Sequence, residues 1–101
     1  MRIYIAGPYT KGDVAVNVRT AILAGNKVLD KGHVPYIPHL THFWHFLYPR
    51  SWEDWLAIDQ EFLRVCNAVW RLPGESTGAD EEVKLGYKIK IPIYYSFEEI
   101  P

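Results

Sequence analysis

Short apolar runs, most of them bounded by glycine or proline, alternate along this chain with longer stretches of helical periodicity. The apolar runs indicate β-strands at residues 2–7, 33–38, 68–72 and 91–96. Apolar or small residues recur every three or four positions, as in a helix, over residues 14–29, 52–66 and 79–90. Gly32 ends the first of these stretches, and Ser51 precedes the second as a candidate N-cap. This order predicts a parallel sheet with right-handed crossovers.

The predicted fold is a single α/β domain over residues 1–101, with about four parallel strands and three helices in three layers. A Rossmann-like or flavodoxin-like arrangement fits this pattern. Ligands of open parallel sheets bind at the carboxyl ends of the strands. The loops expected at that edge are residues 7–13, 39–51 and 73–78.

Composition narrows the classes of partner. Apolar residues make up 49% of the chain, so a core is expected, and the net charge of −1 argues against binding to a nucleic acid polymer. No apolar run has the length of a membrane span, and the first residues lack the pattern of a signal peptide, so we expect a cytoplasmic protein without a membrane partner. The single cysteine, Cys66, lies in an apolar stretch and is expected to be a buried, inert thiol.

Three consecutive acids begin the last predicted helix, and their spacing separates them. Asp80 and Glu81 lie four and three residues before Lys84, which suits surface ion pairs. Glu82 has no cation at these positions, and small residues flank it on its own face. We therefore interpret Glu82 as a functional carboxylate that is partly desolvated and lies near the N–H donors of the helix N-terminus, which favour its ionised form. The alternative is that it only interacts with the helix dipole.

The segment before these acids, Ser76 to Gly78, offers hydroxyl groups and backbone N–H groups at a helix N-terminus. Such a segment is a common site for a phosphate or a carboxylate. The alternative is that Ser76 or Thr77 is only the N-cap.

With "IYIAGPYT", "GHVPYIPH", "IDQEFLRVCNAVWRLPG" and "STGADEEVKLGYKIKIPIYY", the chain resembles the nucleoside 2-deoxyribosyltransferase-like superfamily over almost its whole length. This superfamily includes nucleoside 5′-monophosphate N-glycosidases. Its last motif places a Ser or Asp, a Gly two residues later and the catalytic Glu four residues after that, which matches Ser76, Gly78 and Glu82.

The resemblance implies cleavage of an N-glycosidic bond in a nucleoside or nucleotide, by hydrolysis or by transfer, with Glu82 as the nucleophile. It implies that Asp59 orients the substrate and assists proton transfer, and that Ser76 binds a 5′-phosphate. Arg19 either reaches a phosphate or is a surface cation. The first loop, which would border the sugar and the phosphate, contains Gly7, Pro8 and Tyr9. This chemistry needs only carboxylates and water, so no cofactor is expected.

The aromatic stretch at residues 39–51 has several interpretations. Its histidines recur every three residues, but in a helix the first and third would point apart, and we expect no metal site. Its aromatic side chains either stack on a nucleobase, pack against the helices or form the interface of a homo-oligomer, a dimer or tetramer. The residues concerned are His39, His42, His45, Phe43, Trp44 and Phe46.

Three alternative functions follow from the same residues. One is a nucleotide sensor without turnover. Another is a phosphoribohydrolase of the cytokinin type, which "LPGESTGADEE" resembles more weakly, because the second half of that glycine-rich motif is incomplete. The last is an adaptor protein that uses the aromatic stretch as its interface.

Overall fold

The computed structural model describes residues 1–101, and its four strands form one parallel sheet in the order β2-β1-β3-β4. The strands are β1 (Arg2–Ala6), β2 (Val34–Tyr36), β3 (Ala68–Arg71) and β4 (Ile93–Tyr94). The helices are α1 (Val14–Asp30), α2 (Thr41–Leu47), α3 (Trp52–Arg64) and α4 (Thr77–Lys88). The predicted α/β fold with four parallel strands is thus confirmed. None of the helices is long and apolar enough to cross a membrane.

The central strand β1 supplies side chains to two separate apolar cores, because successive residues of a strand point to opposite faces. Ile3 and Ile5 pack with α1 on one face, whereas Tyr4 and Ala6 pack with α3 and α4 on the other. All four side chains are completely buried. The face that carries Tyr4 is the one on which the acids of α3 and α4 lie.

The structure contains a fourth helix, α2, where the sequence indicated irregular chain. It follows a short 3₁₀ turn at Pro38–Leu40, and no side chain caps its first turn. None of its residues is buried, so it has no apolar stripe of the kind that reveals a helix in a sequence. Separate aromatic side chains connect α2 to the rest of the protein. An example is Trp44, which packs edge-to-face on Trp55 with ring centroids 5.0 Å apart.

The last helix, α4, begins two residues earlier than predicted. Ser76 is its N-cap, and the Ser76 hydroxyl accepts a hydrogen bond from the backbone N–H of Ala79 at 3.1 Å. Glu82 therefore lies in the second turn of α4, beyond the unpaired N–H groups of the first turn.

The loops after β1 and β3 meet at the carboxyl edge of the sheet, where β1 lies between β2 and β3. Gly74 has φ of +113°, and a Cβ atom there would lie 2.8 Å from Cγ of Pro8. The backbone carbonyl of the same Pro8 accepts a hydrogen bond from His39 Nε2 at 2.9 Å. Three loops, one after each of the first three strands, are thereby joined around Pro8. Such a topological switch point is where a parallel sheet opens a crevice for ligands.

Candidate active site

A cavity of about 600 Å³ opens at this switch point, between the amino-terminal halves of α3 and α4. Two carboxyl groups, those of Asp59 and Glu82, line it together. One wall consists of Trp52 and Trp55 of α3, which we call the indole wall. Another part of the lining, which we call the polar side, is formed by residues Ser76, Thr77 and Gly78 at the start of α4, with Thr10 and Lys11 of the β1 loop.

Most of the residues that the sequence singled out as binding or catalytic line this cavity. They are Gly7, Tyr9, Asp59, Ser76, Gly78 and Glu82. Pro8 is not among the lining residues; its ring lies close to Gly74. Arg19 is also outside it: the side chain is exposed on α1, which packs on the opposite face of the sheet.

Glu82 is buried in the protein, with 7% of its surface exposed. Its Oε2 accepts a hydrogen bond from the hydroxyl group of Tyr4, which belongs to β1. Burial raises the pKa of the Glu82 carboxyl to about 8, and the neighbouring Asp59 charge raises it further, whereas the Tyr4 hydrogen bond and Arg71 oppose the shift. The desolvation predicted for Glu82 is thus present, and its effect on the pKa is larger than that of the helix N-terminus, which was expected to favour the ionised form.

Asp59 is held in a similar way by a second strand. The hydroxyl of Tyr36, in β2, donates a hydrogen bond to Asp59 Oδ1 at 3.2 Å. Burial raises the pKa of Asp59 to about 7 in spite of this bond. Burial also raises the pKa of both tyrosines, so Tyr4 and Tyr36 remain hydroxyl donors at neutral pH.

The two tyrosines lie side by side in the sheet. Tyr4 and Tyr36 are register partners in β1 and β2, and their ring centroids are 5.4 Å apart. The result is a pair of tyrosine–carboxyl hydrogen bonds beneath one cavity. Neither tyrosine was predicted as a site residue from the sequence. The signal that could have found them is that each occupies a strand position whose side chain points toward the face covered by α3 and α4.

Arg71, at the end of β3, is a third residue that was not singled out in the sequence. Its Nη2 donates to the carbonyl oxygen of Gly74 at 2.9 Å and to Asp80 Oδ1 at 3.0 Å. The spacing in the sequence offered Lys84 as a partner to both Asp80 and Glu81. In the structure, Asp80 pairs with Arg71, and Lys84 Nζ pairs with Glu81 at 3.2 Å. Arg71 thus ties the loop before α4 to the first turn of that helix.

The aromatic side of the cavity differs from the one that the sequence suggested. Phe43, Trp44 and Phe46 do not line the cavity, and the indole wall of α3 takes that place. Phe46 is 78% exposed, since α2 stands on the surface. Aromatic side chains of α3, rather than those of the aromatic stretch, therefore line the cavity.

The three histidines of the aromatic stretch have separate hydrogen-bond partners. His39 bonds to the Pro8 carbonyl, His42 Nδ1 to the Tyr9 hydroxyl at 2.6 Å, and His45 Nδ1 to Trp55 Nε1 at 2.8 Å. No three His, Cys, Asp or Glu side chains of residues 1–101 come together in a way that suits a metal ion.

Comparison with known proteins places the chain in a family. A family model described as "Domain of unknown function (DUF7768)" matches residues 1–96. The chain belongs to this family.

Among solved structures, a 2-deoxyribosyltransferase from Bacillus psychrosaccharolyticus has a similar fold, with a TM-score of 0.70. The sequences are 19% identical, and the alignment covers 92% of this chain and 69% of the other. No curated protein matches the sequence. The structural similarity establishes a deoxyribosyltransferase-like, Rossmann-like fold.

Proposed function

We propose that this protein cleaves the N-glycosidic bond of nucleosides or nucleoside 5′-monophosphates. The observation that carries the proposal is the pair of buried carboxyl groups, Glu82 and Asp59, which line one cavity and each accept a hydrogen bond from a strand tyrosine. Cleavage at an anomeric carbon uses two carboxyl groups in different protonation states. The fold shared with a 2-deoxyribosyltransferase supports the same reaction class.

The walls of the cavity suit the two ends of a nucleotide. The indole wall offers flat apolar faces on which a base stacks. On the polar side, Ser76 and Gly78 at the N-terminus of α4, together with Lys11, suit a phosphate group. Lys11 is paired only with the exposed Glu75, at 3.6 Å, and is therefore available to an anion. A volume of about 600 Å³ is typical of a small-molecule site.

In the proposed mechanism, the two carboxyl groups hold one proton between them. The higher pKa of Glu82 favours that proton on Glu82, so the reactive form is the minor one, in which Asp59 is protonated and ionised Glu82 attacks C1′ of the sugar. The electron pair of the N-glycosidic bond leaves with the base nitrogen, which takes the proton of the Asp59 carboxyl, and an ester joins C1′ to Glu82. Ionised Asp59 then takes a proton from a water molecule, whose oxygen attacks C1′ and releases the Glu82 carboxylate. In a transferase, the nitrogen of a second base replaces the water. The Tyr4 hydroxyl holds the Glu82 carboxylate toward the cavity.

Free base, separated by chromatography, is the product that tests the proposal. The protein is incubated with ribo- and deoxyribonucleosides and with their 5′-monophosphates, with and without a second base. We expect release of base from at least one 5′-monophosphate, and a requirement for the second base identifies a transferase. Binding without release from any substrate contradicts the proposal and favours the alternative of a nucleotide sensor.

The pH dependence of the reaction follows from the two raised pKa values. Below about pH 7 both carboxyl groups are protonated and no nucleophile exists; above about pH 8 both are ionised and no acid exists. We therefore expect kcat/KM to have a narrow, bell-shaped maximum between these values, which belong to the pair rather than to either residue. Initial rates from pH 5 to 10 measure the profile. A rate that rises steadily up to pH 10 contradicts the role of Asp59 as the acid.

A further inference from the structure

His45 lines the cavity at the end of α2, and the mechanism above does not use it. Two N–H groups converge on its Nδ1. Trp55 Nε1 donates to it at 2.8 Å, and the backbone N–H of Arg50 donates at 3.2 Å. An imidazole nitrogen that accepts hydrogen bonds carries no proton, so the proton of the neutral ring is on Nε2. The surrounding chain thus selects one tautomer of His45.

The other ring nitrogen, Nε2, has no hydrogen-bond partner within the protein and is not among the buried polar atoms that lack one. An N–H donor of fixed position is therefore accessible beside the cavity. The imidazole packs edge-on against the indole of Trp55, with ring centroids 5.8 Å apart and an angle of 74°. The donor consequently lies next to the indole wall.

We propose that His45 determines base specificity, because its Nε2–H donates a hydrogen bond to an acceptor atom of the bound base. The acceptor is a ring nitrogen or a carbonyl oxygen at the edge of a base stacked on the indole wall. The inference rests on the proposed function, since it assumes that the cavity holds a nucleobase. Bases that present an amino group at this edge are disfavoured, because two donors then face each other.

Two substitutions separate the ligand-binding role of His45 from its packing role. The amide oxygen of His45→Asn takes the place of Nδ1 and keeps the bond to Trp55, but no donor remains at Nε2. The amide nitrogen of His45→Gln takes the place of Nε2 and restores the donor, whereas the bond to Trp55 is lost. Both are made in a Glu82→Gln background, so that calorimetry measures binding of nucleoside 5′-monophosphates without turnover. Ribose 5-phosphate, which lacks a base, is the control ligand.

We expect His45→Asn to weaken binding of the preferred nucleotide by about 3- to 10-fold, the effect of one hydrogen bond. His45→Gln is expected to bind that nucleotide more tightly than His45→Asn, and both are expected to bind ribose 5-phosphate like the parent.

Three outcomes overturn the inference. The first is that His45→Asn binds the preferred nucleotide more tightly than His45→Gln does. The second is that the variants lose as much affinity for ribose 5-phosphate as for the nucleotide, and the third is that the parent binds no nucleotide. If the protein with Glu82 intact releases no base, the proposed reaction is contradicted, but the role of His45 in binding is not, because the calorimetry measures binding alone.

Discussion

Glu82→Gln is expected to abolish base release, with a loss in kcat on the order of 10³-fold or more. The amide has nearly the shape of the carboxyl, and its oxygen still accepts the hydrogen bond from Tyr4. It has no ionised form that bonds to C1′, so the ester cannot form. Chromatography of the reaction with the best substrate measures the loss, and calorimetry shows whether the substrate still binds.

Glu81→Gln is the matched control for this substitution. Glu81 is the preceding residue of α4, is paired with Lys84 at 3.2 Å and does not line the cavity. We expect it to release base at the rate of the native protein, because a surface ion pair contributes little to stability or to the site. If Glu82→Gln retains a rate close to that of Glu81→Gln, then Glu82 is not the nucleophile.

The same Glu82→Gln variant is expected to be more stable than the native protein in alkaline solution. The pKa of Glu82 is about 8 in the folded protein against an ordinary value of 4.5, so the folded state holds this proton more tightly than the unfolded state. The stabilising contribution of the protonated group is complete below the ordinary pKa and is lost progressively as the pH rises to about 8. Above that pH, the buried carboxylate lowers the free energy of unfolding by about 3–5 kcal/mol, an effect that glutamine avoids.

Urea unfolding at pH 5, 7 and 9 measures this difference in the free energy of unfolding between the native protein and Glu82→Gln. We expect a small difference at pH 5, where both side chains are uncharged, and a large one at pH 9. Glu81→Gln, which removes an exposed carboxylate from the same helix, is expected to show no such trend. If the free energies of unfolding of the two proteins differ by the same amount at all three pH values, then Glu82 is not desolvated. The expected result indicates a residue retained for chemistry at a cost in stability.

The sheet and three of its helices were predictable because their signals are local. The apolar alternation of β1, the stop at Gly32 and the cap at Ser51 each depend on a few neighbouring residues. α2 was not predictable in this way, since it buries no stripe of its own and is held by contacts such as Trp44 on Trp55.

The candidate site was predictable in its residue types but not in its electrostatics. The spacing of acids in α4 singled out Glu82, whereas its hydrogen bond to Tyr4 joins residues 78 positions apart in the chain. The raised pKa depends on burial, which no single segment encodes. The roles of Glu82, Asp59 and the binding residues, the substrate and the homo-oligomer stay predictions.

Tyr4 belongs to the candidate active site and to the apolar core at once, since it is fully buried in the central strand and donates a hydrogen bond to Glu82. The recognition side of the cavity has no such link: Trp52 is 55% exposed, and His45 lies on a helix without buried residues. Substitutions around the carboxyl groups therefore disturb the whole domain, whereas substitutions in α2 and at the start of α3 change few core contacts. Under the proposed function, related chains can diverge in the base that they accept while keeping one chemistry, because the surface proposed to contact the base is free to vary without loss of the fold.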